Sequence, residues 1–300
     1  GTFSAAAGAA RALGLATDKT IHALGIAGSQ AAGLMAAQYG AMVKRMDAGK
    51  SAQSGLLSAL LAQRGFTGIM DVFEAPYGGF CTTFSRSQDR FDIEELSNGL
   101  GDNYELMNIS LKFYSCVGSN HTTLDAIKDI KDRRPFQVDQ ISEVNVWGSQ
   151  VTVDHVGWPY QPQGLTSAQL NLPFCVATLL LEGDVSPEQF PENCVNNKQR
   201  IELSRKVNCM HDPAITAKGA SYRHMVKVEI VFKDGSKEKE VREFQRGSEH
   251  DFAENNKIIE KFKKLTKNKI SPEHQNNIVS TVENVELLDD MYSLVHLLSV

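Results

Sequence analysis

YRHMVKVEIVFKDGSKEKEVREF, residues 222–244, sets two alternating runs on either side of Asp234-Gly235. Alternation sends successive side chains to opposite faces, and an Asp-Gly pair accepts the positive φ of a tight turn. The stretch therefore predicts a β-hairpin. Working outward, ISEVNVWGSQVTV at 141–153 alternates in the same way and predicts a strand. HTTLDAIKDIKDR, from His121, puts Leu124, Ile127 and Ile130 on one side of a helix. Thr166 to Leu181 reads as an apolar helix with Pro173 near its first turns, and NISLKFYSC at 108–116 reads as extended. β-Branched residues thus enter near residue 107 and recede near 250.

On both sides of this region the pattern is helical. Residues 4–13 predict an Ala-rich helix ending at Gly14, and Thr17 or Asp18 caps another that runs to about Gln38. Several glycines in that helix, each costing roughly 1 kcal/mol against alanine, point to close helix packing. Ala52 to Arg64 predicts a third helix, with Ser51 as N-cap after Gly49 and Gly65 as C-cap. Its Leu56, Leu57, Leu60 and Leu61 form a stripe expected in the core. Short helices are expected at 69–74 and 92–98, and helices return with ENNKIIEKFKKL and SPEHQNNIVSTVENV. The fold class predicted is α+β: an all-α helical domain over 1–106, an α+β domain over 107–250, and a helical return over 251–300.

Composition narrows the function classes. The chain has 300 residues, a net charge of −5, 42% hydrophobic and 22% charged residues. That balance gives no basis for nucleic-acid binding. No apolar run suits a membrane span. Five scattered cysteines without CxxC spacing fit reduced thiols, hence a cytoplasmic location, with the mitochondrial matrix as the alternative. The opening GTFSAAAGAARALGL reads as the interior of a helical protein, so further chain is expected before Gly1.

Three polar clusters could carry chemistry. Lys44 and Arg45 adjoin the start of a helix, where unpaired N–H groups favour an anion such as a carboxylate. KFYSCVGSNH supplies Lys112, Cys116 and His121, the last at a helix N-terminus that favours neutral imidazole. VDHVGWPY supplies Asp154, His155, Trp158 and Tyr160. GIAGSQAAG fails the dinucleotide spacing and no strand precedes it, so helix packing is its reading. HExxH, nucleophile-elbow, phosphate-loop and paired-cysteine patterns are absent from the sequence.

GTFSAAAGAARALGL, ALGIAGSQAAGLMAAQYGAMVKRMDAGKSAQSGLLSALLAQRGF and VGWPYQPQGLTSAQLNLPFCVA resemble the MmgE/PrpD family. That family includes 2-methylcitrate dehydratases, cis-aconitate decarboxylases and iminodisuccinate epimerases. GLMAAQYGAMVKR and LKFYSCVGSNH are most similar to its fungal cis-aconitate decarboxylases. The resemblance implies a helical domain with an α+β lid, a pocket between them, and lyase chemistry on a small di- or tricarboxylate without metal or cofactor. Decarboxylation of cis-aconitate is the leading expectation. Dehydration of a methylcitrate-like substrate, epimerisation, and a carboxylate-binding or dimerising remnant without activity are the alternatives.

By resemblance, Lys44 matches the lysine of the pocket-lining KR/KP segment, and Lys112 the lysine that opens the lid. His155 matches a pocket position held by histidine or tyrosine, and His121 a histidine of the fungal segment. His155, Lys112 and His121 are the expected catalytic residues. Lys44, Arg45 and Tyr160 are the expected substrate-binding residues. Asp47 stands where many members have histidine. The family's other Asp- and His-bearing segments precede the GTF motif, so they are expected upstream of Gly1, and residues 1–300 alone are expected to be nearly inactive. A homodimer through the Ala/Gly-rich helical domain is the expected assembly.

Overall fold

The computed structural model describes residues 1–85 and 90–299. The chain forms two compact units, one of residues 1–105 with 161–170, the other of 106–160 with 171–300.

Unit one is helical. Its main helices are Thr2–Ala12, Thr17–Gly28 and Met46–Gln63. Small residues decide their packing: Ala10, Ala23, Ile26, Ala59 and Ala62 form the buried cluster. A Cβ on Gly55 would stand 2.5 Å from Ala5 Cβ and 2.6 Å from the Thr2 carbonyl oxygen, so only glycine permits this approach. Dispersion energy gained across so close a contact offsets the helix propensity given up by glycine.

Several expectations for this unit need correction. The second helix stops at Gly28, ten residues early, where glycine and serine let the chain leave the helix; a 3-10 turn follows at Met35–Tyr39. The third helix starts at Met46 rather than Ala52. Gly49 and Ser51 lie inside it, with Ser51 Oγ donating to the Asp47 carbonyl at 2.9 Å. The leucine stripe is not the core face. Leu56 is 50% and Leu57 46% exposed, whereas Ser54, Gly55, Ser58, Ala59 and Ala62 are buried. Alanine-rich neighbours accept the slim face, and of the four leucines only Leu61 packs against the cluster. Residues 69–74 form turns instead of a helix, and a helix not foreseen occupies Phe80–Ser85. The short helix expected at 92–98 is the 3-10 turn Ile93–Leu96, capped by Asp92.

Unit two contains a four-stranded sheet in the order β2-β1-β3-β4. The strands are β1 (Ile141–Gly148), β2 (Val207–His211), β3 (Val226–Phe232) and β4 (Lys237–Arg242). β1 runs parallel to β2, with Val146 opposite Cys209, and antiparallel to β3, with Val146 opposite Val228. The β3–β4 hairpin turns at Asp234-Gly235, with Gly235 at φ +84°, as its sequence predicts. β2 was not foreseen. β1 ends at Gly148, five residues short of the expectation, because Ser149 caps a helix, Gln150–Val156, by accepting from the Thr152 amide at 3.2 Å. Residues 108–116 join no strand, although the Leu111 amide donates to the Gly247 carbonyl at 2.7 Å. The helix expected from Thr166 to Leu181 is two helices. Leu165–Leu170 belongs to unit one and Leu172–Glu182 to unit two, broken at Asn171, whose side chain accepts from the Phe174 amide at 2.8 Å.

Leu172–Glu182 is the spine of the second core, buried continuously from Leu172 to Leu180. The C-terminal helices Asn255–Thr266, Pro272–Glu283 and Tyr292–Leu298 cluster with unit two. Ion pairs fasten the first of them: Lys264 to Asp184, and Lys267 to Glu188 at 3.0 Å.

Candidate active site

In unit one, Lys44 and Arg45 close a 3-10 turn, Met42–Arg45, that runs straight into the helix beginning at Met46. Two cations therefore stand at the positive end of an 18-residue helix. The helix start at Met46 brings them nearer that end than the sequence predicts. Neither is free of partners. The Lys44 ammonium lies 3.7 Å from Asp47 Oδ2, and Arg45 Nη2 donates to Gln169 Oε1. Asp47 thus competes for the charge that would hold a carboxylate.

In unit two, Lys112 is exposed, and its carbonyl accepts from the ammonium of Lys261. Burial, then the neighbouring charge of Lys112, pushes Lys261 below the usual lysine range. His121 is the first residue of the helix His121–Arg133, is 0% exposed, and meets the Tyr114 ring edge-on at 5.1 Å. Neither of its ring nitrogens has a hydrogen-bond partner among the described residues. Burial raises the Cys116 thiol well above its ordinary range, Cys175 adds to that, and nearby His121 opposes it. Tyr114 Oη donates to Asp125 at 2.7 Å, and the Arg246 amide donates to the same carboxylate at 2.9 Å.

His155, half-buried, lies in the last turn of Gln150–Val156. Its Nδ1 is 2.9 Å from Ser119 Oγ, in the 3-10 turn Gly118–Asn120 that leads into His121. The structure therefore brings the 119–121 turn and His155 together. It also adds His224, which sequence reasoning missed. Burial first, then Arg223, then His155 hold His224 down at about 4. Arg223 Nε donates to His224 Nε2 at 3.1 Å. Neither Ser119 nor His224 stands in a spacing motif; each is identified only by what the fold puts beside His155. Asp154 instead accepts from its own helix, from Gln150 Nε2 at 2.7 Å. Tyr160 is 9% exposed, donates to the Val195 carbonyl at 2.9 Å, and stacks on Phe174 with ring centres 4.4 Å apart. Its hydroxyl is committed to packing within unit two.

A small-residue helical unit and an α+β unit, each with groups suited to carboxylates, define a two-part chain. Comparison with known sequences also divides it in two near residue 105, though with 161–170 on the C-terminal side: residues 1–92 match the MmgE/PrpD N-terminal domain and 114–287 the MmgE/PrpD C-terminal domain. The chain belongs to the MmgE/PrpD family. It is 34% identical to the cis-aconitate decarboxylase-like protein oryM of Aspergillus oryzae, over 100% of this chain and 64% of that protein. It is 32% identical to cis-aconitate decarboxylase of Aspergillus terreus, over 99% and 63% respectively. The human cis-aconitate decarboxylase is 25% identical, over 99% and 61%. The chain thus spans just under two thirds of the length of these relatives.

Proposed function

We propose that the protein is a lyase acting on a small polycarboxylate, and that it decarboxylates cis-aconitate to itaconate. The observation that supports this reading is the 32–34% identity, along the whole chain, to proteins named cis-aconitate decarboxylase or decarboxylase-like. The side chains suit the chemistry. Lys44, Arg45 and Lys112 offer charge-assisted hydrogen bonds to carboxylates. In the reaction the bond to one carboxylate carbon breaks, its electron pair stays on the substrate, CO2 leaves, and a proton is added to the substrate carbon. Histidine is suited both to stabilising the charge and to moving the proton; His155 and His121 are the candidates here.

The test is to incubate the full natural protein with cis-aconitate and, separately, 2-methylcitrate, and to follow CO2 release against water loss. CO2 and itaconate from cis-aconitate are expected. Water loss from 2-methylcitrate without CO2 would replace the proposal with a dehydratase. Tight binding without turnover of either would replace it with a carboxylate-binding role.

A further inference from the structure

The contact between Ser119 and His155 bears on which ring nitrogen of the histidine carries its proton. Ser119 is 2% exposed. Its hydroxyl lies 2.9 Å from His155 Nδ1 and has no other hydrogen-bond partner among the described residues. A hydroxyl has one proton to donate, and a buried donor left unpaired is costly. Were Nδ1–H the donor, Oγ would accept and its own proton would have no acceptor. The favoured arrangement is Oγ–H donating to a bare Nδ1. Neutral imidazole carries a single N–H, which then resides on Nε2.

We infer that Ser119 is a positioning residue that fixes His155 as a hydrogen-bond donor through Nε2. The inference rests on the proposed role of His155 in the substrate site and makes that role specific. An Nε2–H suits a carboxylate oxygen and the charge that develops on it as a neighbouring bond breaks. A neutral Nε2–H has no lone pair to take a proton and is too weak an acid to give one to carbon, so of the two roles named above His155 takes the charge-stabilising one, and the proton added to the substrate carbon comes from another group. The surroundings hold this arrangement. Ser149 Oγ and Thr152 Oγ1 both donate to the Arg223 carbonyl, at 2.6 and 2.7 Å, which anchors the first turn of the His155 helix. Ser119 anchors its last turn. His224 stays neutral near pH 7, so it sets no second positive charge beside the ring.

The experiment is nitrogen NMR on the full natural protein, labelled in its histidine rings, with His155 identified by the resonances lost in His155→Gln. Above the titration of His155, Nε2 is expected in the protonated range and Nδ1 in the bare range. A protonated Nδ1, or an average of the two forms, overturns the inference whether or not the protein is a lyase. In Ser119→Ala the Nδ1-protonated form should gain several-fold, and Ser119→Thr should restore the natural ratio; an unchanged ratio in folded Ser119→Ala also overturns it. If Ser119→Ala does not fold, the wild-type spectrum and Ser119→Thr decide. Kinetics with the polycarboxylate that the protein turns over give the second reading. Ser119→Ala should lower kcat/KM ~tenfold, the worth of about one hydrogen bond, with Ser119→Thr close to wild type. His155→Gln, which keeps an N–H donor, should outperform His155→Ala; equal losses count against the donor role. A protein that turns over no polycarboxylate removes the proposed function and leaves the tautomer to be decided by the spectrum.

Discussion

Lys44 and Asp47 are three residues apart, both partly exposed, and 3.7 Å from one another. Such pairs are worth ~0–1 kcal/mol, so Asp47 weakens the lysine's hold on an anion without abolishing it. Asp47→Asn should therefore lower KM for a polycarboxylate by about two- to fivefold, most clearly at low salt. Lys44→Ala should lower kcat/KM by at least ~tenfold, or ~1.4 kcal/mol; steady-state kinetics on the two variants check both, and no change in either removes Lys44 from the site. Tyr160→Phe tests the opposite kind of residue. It strands the Val195 carbonyl, so about 1–3 kcal/mol of stability should be lost in denaturant unfolding, with kinetics nearly unchanged. A collapse of kcat at full stability would return Tyr160 to the substrate. His224 supplies a pH dependence. Its folded value of about 4 lies below its ordinary 6.5, so the unfolded chain binds the extra proton between them. The stability is fully present above pH 6.5 and is lost as pH falls toward 4, by at most about 3 kcal/mol. Unfolding curves across that window should flatten in His224→Gln.

At the scale of the element, the helix Met46–Gln63 carries two stripes: a small one at Ser54, Gly55, Ser58, Ala59 and Ala62, and a leucine one. Periodicity found only the leucine stripe and gave it the core, because hydrophobicity ranks leucine above glycine while helix approach ranks them in reverse. Gly55→Leu should destabilise by about 1–3 kcal/mol or more, since backbone rather than a flexible side-chain tip faces the new atoms. The glycine- and alanine-rich faces are used within the unit, so we propose that self-association falls on the exposed face of Leu56 and Leu57. Light scattering should give a dimer for the full natural protein and a monomer for Leu56→Glu/Leu57→Glu; a wild-type monomer at micromolar concentration removes the dimer. The same contrast explains what was legible elsewhere. The β3–β4 hairpin was read from local alternation and one Asp-Gly turn. β2, only five residues long, is defined by parallel pairing to residues about sixty positions earlier, and nothing local marks it. Lys44, Arg45, His121 and His155 were found as polar clusters or by family resemblance. Ser119 and His224 required the fold, because contact between a turn, a helix end and a strand approach leaves no spacing in the sequence.

At the scale of the molecule, the chain changes unit three times, after residues 105, 160 and 170. The middle excursion is ten residues long, and it matters to unit one: Gln169 receives the Arg45 guanidinium, and a Cβ on Gly40 would come within 3.1 Å of Gln163. Residues 1–105 should accordingly melt lower when made alone than when a short linker appends 161–170, a comparison that calorimetry can make directly. Equal melting would mean that the excursion adds nothing to the unit. The consequence extends to how such a gene could be rearranged. A recombination joint placed at any one of the three crossings leaves at least one unit assembled from two parents, so the two halves of this fold can be exchanged intact between relatives only by moving three joints at once.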